Sequence, residues 1–225
     1  MRVAYVGAAP KSAEEVERRR LLLQQWAAPG TTIEMAYSDE GPASIESMYE
    51  EYVAIPQYAK NIVRLEREGY DAAIVGCAGD PGIEAYQELC TKILVVGPGM
   101  SSFHTAAMLG RRFTLLTVAD SMIPSSHELI QKAGLTSKIA SVRAVEIPVL
   151  ELSHNRAQTL EKLVQVGREA IEHDRADVLV LGCMSMAFLQ VAEEMQSLLG
   201  IPVINPAKAA LKMAESMVSS RLKHS

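Results

Sequence analysis

Two cysteines stand at matching places in two similar stretches of the sequence. Cys77 ends the run DAAIVGC and Cys183 ends the run DVLVLGC, each six residues after an aspartate and 106 residues apart. A thiolate accepts protons and a thiol donates them near neutral pH. Two thiols on opposite faces of one carbon atom can therefore take a proton from one side and return a proton to the other, which inverts the stereocentre.

Such a reaction needs a carbon acid whose carbanion spreads onto an adjacent carbonyl group. Asp80 and Ser185 are predicted to be the N-cap residues of the helices that follow the two cysteines. The two helix starts should then lower the pKa of each thiol, and their N–H groups should stabilise the oxygen that gains charge. Gly76 and Gly182 would let the backbone approach a ligand closely.

The composition narrows the class of protein. The chain has 225 residues, of which 48% are hydrophobic and 22% charged, and its net charge of −5 gives no sign of a nucleic-acid or membrane-surface partner. No stretch approaches the roughly 20 apolar residues of a membrane span, and the first residues lack a signal-peptide pattern. With three cysteines, we expect a cytoplasmic chain with reduced thiols that acts on a small molecule.

Neither a metal nor a cofactor is predicted. The five histidines and three cysteines show none of the usual metal-ligand spacings, and no phosphate-binding glycine motif occurs. Cys90 has no counterpart in the second stretch, so we interpret it as structural. The basic cluster at residues 18–20 follows three glutamates and is expected on a solvated helix face.

The elements that must position the cysteines follow an α/β pattern. Short, continuous apolar runs are typical of strands covered on both faces; they occupy residues 3–6, 72–75, 93–96, 113–117, 178–181 and 203–204. Segments with helical spacing lie between them, at residues 12–26, 44–68 (which Pro56 can interrupt), 81–89, 127–133, 156–173, 186–199 and 207–219. This alternation predicts α/β units with parallel sheets.

The chain also repeats itself. RVAYVG corresponds to RFTLLT, the two cysteine runs correspond to each other, and KILVVGP corresponds to IPVINP, in the same order and at nearly the same offset. We therefore predict two similar Rossmann-like halves related by pseudo-two-fold symmetry, one of residues 1–98 plus 207–225 and the other of residues 99–206. Ligands of parallel sheets bind beyond the carboxyl ends of the strands, where both cysteines stand, so the predicted site is the cleft between the halves.

These segments resemble the hydantoin racemases of the aspartate/glutamate/hydantoin racemase superfamily over nearly the whole chain. GPASIES, EGYDAAIVGCAGDPGIEA, GRRFTLLT, SVRAVEIPVLEL and ADVLVLGCMSMA follow one another in family order. The resemblance implies that Cys77 and Cys183 are the acid/base pair and that the protein is a homo-oligomer. It also implies substrate contacts from the loops beside them: Gly7, Ala8, Ala9, Ser44, Ile45, Ala78, Gly79, Thr117, Met184 and Ser185.

Two departures from the family pattern bear on the substrate. The family usually has an Asn-Pro-Asn-Thr type loop after the first strand, whereas this chain has GAAPKS at residues 7–12, without the amides. Met184 stands where the family usually has a small residue after the second cysteine. Both departures indicate a ligand less polar than a free amino acid, and 5-substituted hydantoins or allantoin are the first expectation.

Two alternatives remain open at the level of sequence. The first is an amino-acid racemase of the Asp/Glu type, or a related cysteine-dependent isomerase of the same superfamily. The second is a non-catalytic protein that binds a ligand between two lobes.

Overall fold

The structure, a computed structural model, describes residues 1–7 and 11–224. Over these residues the chain forms eight β-strands and nine α-helices, arranged as two parallel four-stranded sheets with helices packed on their faces. Within the same described residues, no helix combines the length and the apolar character that a membrane crossing requires.

The first sheet is built from the amino-terminal part of the chain. Its strands are β1 (Arg2–Gly7), β2 (Thr32–Tyr37), β3 (Ala72–Val75) and β4 (Leu94–Val96), in the order β2-β1-β3-β4. The helices that alternate with these strands are α1 (Ala13–Trp26), α2 (Met48–Arg67) and α3 (Ile83–Leu89).

The second sheet repeats the first. Its strands are β5 (Phe113–Thr117), β6 (Ile139–Ala144), β7 (Val178–Leu181) and β8 (Val203–Ile204), in the order β6-β5-β7-β8. The remaining helices are α4 (Pro98–Leu109), α5 (Ile123–Lys132), α6 (Arg156–Asp174), α7 (Met184–Phe188), α8 (Ala192–Leu199) and α9 (Pro206–Ser219). The same strand order in both sheets confirms the predicted α/β fold class.

Three strands, among them the two that lead to the cysteines, are fully buried. Every residue of β3, β5 and β7 is buried, because helices cover both faces of each sheet, and this explains their continuous apolar runs. The sequence prediction missed β2 and β6, which occupy matching edges of the two sheets. Only Ile33 and Ala36 of β2, and no residue of β6, are buried, so the two sequences lack the apolar continuity on which the prediction rested.

Several helices differ from the prediction. Helix α2 runs without a break through Pro56, α5 begins at Ile123 rather than at residue 127, and α4 was not predicted at all. The predicted helix 186–199 is in fact α7 and α8, separated near Gln190, which has a positive φ of 56°. Helix α9 packs on β3 and β4, while α4 packs on β7 and on α9. The predicted boundaries of the two halves, residues 1–98 plus 207–225 and residues 99–206, remain a prediction.

Candidate active site

A matched hydrogen bond precedes each cysteine. The Gly76 N–H donates to the Val6 carbonyl oxygen, and the Gly182 N–H donates to the Leu116 carbonyl oxygen, both at 2.8 Å. A Cβ atom at Gly76 would lie 2.5 Å from the first of these oxygens, and a Cβ at Gly182 would lie 2.8 Å from the second. Only glycine allows this close approach of two backbones, which fixes both cysteines just beyond the carboxyl ends of β3 and β7.

One cavity collects the two thiols and the predicted substrate contacts from both sheets. Of the predicted site residues, those that line it are Gly7, Ser44, Ile45, Cys77, Ala78, Gly79, Thr117, Cys183, Met184 and Ser185. Ala8 and Ala9 lie outside the described residues. Cys90, interpreted as structural, is buried in the core that β3 and β4 share with α2 and α3.

The cavity also contains charged residues that are not among the predicted substrate contacts. Lys11, Arg19 and Glu51 line it together with Tyr5 and Tyr37. Apolar side chains of the second half, among them Phe103, Leu115 and Leu129, form part of the same wall.

Arg19 corrects the prediction that the basic cluster is solvated. Arg18 and Arg20 are partly exposed, but Arg19 is 7% exposed. Its spacing of three and four residues from the buried Leu22 and Leu23 places all three on one helix face, and this was the available signal.

Two neighbours hold the guanidinium of Arg19. Its Nε donates a hydrogen bond to Glu15 Oε1 at 2.6 Å, and its Cζ lies 4.7 Å from the centre of the Phe188 ring. The cation is therefore fixed in the cavity wall rather than free to move into solvent.

The surroundings of Cys183 act on its pKa in both directions. Burial raises the pKa of the thiol, while the backbone N–H groups of Ser185 and Met186 and the charge of Arg19 lower it; the net effect is a raised pKa. Ser185 is not the N-cap of a helix, since α7 begins at Met184 and its N-cap is Cys183 itself.

The surroundings of Cys77 favour the neutral thiol more strongly. Burial raises its pKa, the neighbouring Glu51 raises it further, and the N–H of Gly79 opposes the change only in part. The expectation that helix starts would lower the pKa of both thiols is wrong, because desolvation outweighs the N–H groups.

Asp80 also differs from its predicted role. Helix α3 begins at Ile83 and Gly82 is its N-cap, so Asp80 does not cap it. The Asp80 carboxylate instead accepts hydrogen bonds from the N–H groups of Gly99 at 2.8 Å and Met100 at 2.7 Å, in the first turn of α4. Burial raises the pKa of Asp80 to about 7 in spite of these two donors. Asp80 thus connects the loop after Cys77 to the following half of the chain.

The arrangement provides two thiols in one cavity, with an acid beside one and a cation near the other. Glu51 and Cys77 lie in the first half, and the Arg19 charge acts on Cys183 from across the cavity. Such a pair of groups with different surroundings can exchange protons with a ligand held between them.

Comparisons of the sequence agree on one family. A family model described as Asp/Glu/Hydantoin racemase matches residues 8–214. The chain is 38% identical to a hydantoin racemase of Pseudomonas sp. (strain NS671), over 79% of this chain and 70% of that one. It is 34% identical to a hydantoin racemase of Paenarthrobacter aurescens, over 87% of this chain and 82% of the relative.

Comparisons of the structure agree with those of the sequence. An allantoin racemase from Klebsiella pneumoniae superimposes with a TM-score of 0.93 at 29% identity, over 100% of this chain and 90% of the other. The allantoin racemase of Pseudomonas fluorescens superimposes with a TM-score of 0.92 at 31% identity, over 100% of this chain and 94% of the other.

Proposed function

Because the chain belongs to the Asp/Glu/hydantoin racemase family and is a racemase, we propose that it inverts a carbon-acid stereocentre through Cys77 and Cys183, without a cofactor. The proposed substrates are 5-substituted hydantoins or allantoin. The observation that carries the proposal is the pair of thiols, each directly after a matched glycine at a strand end, in one cavity.

In the proposed reaction one cysteine removes a proton and the other supplies one. The Cys183 thiolate takes the proton from the stereocentre, and the electron pair of the broken C–H bond moves onto the adjacent carbonyl oxygen. The electron pair then returns to carbon and takes the proton of the Cys77 thiol on the opposite face. The reverse reaction uses the same two groups with their roles exchanged.

The charges near each sulfur support a reaction that begins with Cys183 as the thiolate and Cys77 as the thiol. Arg19 and two backbone N–H groups favour negative charge on Cys183, whereas Glu51 disfavours it on Cys77. We therefore propose that the resting enzyme holds Cys183 as the thiolate when one thiol is ionised. The N–H groups of Gly79 and Ser185 act on the sulfur atoms, so they stabilise thiolates directly.

The wall of the cavity supports a ring substrate of mixed polarity. Ser44 and Thr117 offer hydroxyl groups, and Phe103 and Leu115 offer apolar surface. Cyclic amides such as hydantoins carry carbonyl and N–H groups around a flat ring and would use both kinds of surface.

One observation favours a second candidate, an amino-acid racemase. Lys11, Arg19 and Glu51 place both signs of charge in the cavity, and a free amino acid carries both signs. Arg19 is already held by Glu15, which leaves fewer charged partners for a zwitterion, so this candidate ranks second. Since the chain is an enzyme of this family, a non-catalytic binding role is set aside.

Proton exchange in D₂O tests the proposal. The purified protein is incubated with each enantiomer of several 5-substituted hydantoins, of allantoin, and of Asp and Glu, while NMR follows the α-proton and circular dichroism follows inversion. Cys77→Ser and Cys183→Ser should each lower racemisation by a factor of about 10² or more, the range for loss of a general acid or base. Cys90→Ser, the same change at a thiol outside the cavity, should leave the rate within about twofold of the unaltered protein.

The outcomes separate the candidates. Inversion of hydantoins or allantoin with loss in both cavity variants supports the proposal, and inversion of Asp or Glu alone supports the second candidate. Full activity in either cavity variant would contradict the two-thiol mechanism.

We also propose that the enzyme is a cytoplasmic homo-oligomer. The two-thiol reaction needs reduced cysteines, which the cytoplasm maintains. Light scattering on the eluting protein should give a mass that is a multiple of the 24.5 kDa of one chain, and a mass of one chain would contradict the oligomer.

A further inference from the structure

Glu51 stands between the cysteine cavity and the surface on its other side. Its side chain lines the cavity that contains both thiols. It also lines a second opening between α2, α3 and α5, here called the outer cleft, whose polar lining includes Asp80, Glu84, Ser125, Glu128 and Lys132. Gly79 lines both spaces, so Glu51 and Gly79 together form part of the wall between them.

One oxygen of the Glu51 carboxyl group is buried without a hydrogen bond, although the residue as a whole is only partly buried. Oε1 has no hydrogen-bond partner among the residues that the structure describes. A Cβ atom at Gly79 would collide with this oxygen and would lie 3.7 Å from Cys77 Sγ. The carboxyl oxygen and the thiol sulfur therefore lie beside the same bare glycine, and a bridging water molecule is the carrier that the proposal below places between them.

A two-thiol racemase needs a way to restore its thiols. After one turnover Cys183 holds the proton taken from the substrate, and Cys77 has given its proton away. The same reaction cannot run again in that direction until Cys77 regains a proton and Cys183 gives its proton to water after the product has left. A ligand that fills the cavity separates Cys77 from water there, whereas Glu51 lines both the cavity and the outer cleft.

We propose that Glu51 carries protons between Cys77 and the outer cleft, and so resets Cys77 between turnovers. This inference rests on the proposed two-thiol function. The Glu51 carboxyl gives its proton to the Cys77 thiolate through bridging water, and the carboxylate then takes a proton from water in the outer cleft. Only S–H and O–H bonds form and break, and no group is oxidised or reduced.

The charges around Glu51 suit this role. Burial, and then the charge of Glu128, raise the pKa of Glu51 to about 7, so both protonation states are present near neutral pH. The titratable and charged groups that face it come from the loop after β3 and from α3 and α5: Cys77, Asp80, Glu84, Glu128 and Lys132.

Glu51→Gln tests the proposal, because the amide keeps the size of the side chain and cannot carry the proton. One assay measures net conversion of a pure enantiomer at saturating concentration, which requires the reset. A second follows label transfer between enantiomers in a racemic mixture, where forward and reverse turnovers alternate and no reset is needed. We expect net conversion to fall by about tenfold or more, the lower part of the range for a lost proton-transfer group, with a clearly smaller loss of label transfer.

Two further variants serve as controls. Glu84→Gln removes a carboxylate from the outer cleft that is paired with Lys132 at 3.2 Å and does not line the cysteine cavity, so neither rate should change. Glu51→Asp should restore part of the net conversion. Equal loss of both rates in Glu51→Gln, or no loss of either, would overturn the inference.

A measurement without substrate separates this inference from the proposed function. The pH profile of alkylation by iodoacetamide is followed at Cys77 and Cys183 by peptide mass spectrometry. Glu51→Gln should lower the apparent pKa of Cys77, because an anion beside its thiolate is removed, and Glu84→Gln should not. If no substrate is turned over by the unaltered protein, the proposed function fails, while an unshifted Cys77 profile in Glu51→Gln still overturns the role of Glu51.

Discussion

The ion pair beneath the candidate site gives a pH-dependent prediction. On α1, Glu15 accepts hydrogen bonds from Arg18 Nε at 2.7 Å and from Arg19 Nε at 2.6 Å. Arg19 is the buried cation of the cavity wall, so Glu15 determines where that charge lies. The substitution Glu15→Gln removes the negative charge and keeps the size of the side chain.

The expected magnitude follows from the pKa of Glu15. Burial alone would raise this pKa, but the hydrogen bonds and charges of Arg18 and Arg19 outweigh burial and lower it from 4.5 to about 2. That shift corresponds to at most about 3 kcal/mol of folding free energy. Because the Glu15 side chain is 28% exposed, solvent screening reduces the contribution to about 1–2 kcal/mol.

The direction of the pH dependence follows because the pKa of Glu15 is lower in the folded state than in the unfolded state. The stabilisation is complete above pH 4.5, the unfolded value, and is lost as the pH falls through about 2, the folded value. Urea unfolding should show Glu15→Gln destabilised by about 1–2 kcal/mol at pH 7, with less than half of that difference left at pH 3. Glu15→Gln should also move the acidic limb of the pH–rate profile to higher pH. The reason is that Arg19, once it is held less firmly, lowers the pKa of Cys183 less.

Glu17→Gln is the matched control. Glu17 pairs with Arg20 on the exposed face of the same helix, so its loss should destabilise the protein less at every pH. A destabilisation by Glu15→Gln that is the same at pH 7 and pH 3 would refute the reasoning, as would an effect no larger than that of Glu17→Gln.

Two more predictions concern the thiols and the glycines that precede them. Since burial raises the pKa of both thiols above 9, kcat/KM should rise with pH into the alkaline range as the ionised fraction of Cys183 grows; a profile flat from pH 6 to pH 10 would contradict the use of a thiolate. Gly76→Ala should cost about 3 kcal/mol, because the new Cβ would meet the Val6 carbonyl oxygen. Gly134→Ala should cost only about 1 kcal/mol for its positive φ in open space, so calorimetry should give the first variant the larger loss of Tm.

The local sequence was sufficient for the central strands and for the place of the thiols. The predicted bounds of β3, β5, β7 and β8 match the structure, because a strand buried on both faces must be apolar at every position. Cys77 and Cys183 were placed at strand ends by the same property, since an apolar run that stops at glycine marks the carboxyl end of a buried strand. The likeness of the two halves was likewise readable from the three aligned pairs of runs, although the strand order was not, since β2 and β6 were missed.

The local sequence did not predict elements whose conformation depends on contacts with residues far away in the chain. The edge strands β2 and β6 lack a second covered face, and α4 begins with Pro98-Gly99, which looks like a loop until the Asp80 carboxylate supplies its missing acceptors. The division of residues 186–199 into two helices depends on a left-handed Gln190, a conformation that side chains such as glutamine seldom favour.

The sequence by itself determined which residues are apolar, where the buried strands end, and therefore that two thiols stand at equivalent strand ends. Only the tertiary structure decided what surrounds each thiol. Arg19 and Glu51 are ordinary helix residues in the sequence, but folding buries Arg19 near Cys183 and places the partly buried Glu51 beside Cys77, and so makes the two thiols different. The physical reason is that apolar patterning is local along the chain, whereas burial and charge act through space between residues far apart in sequence.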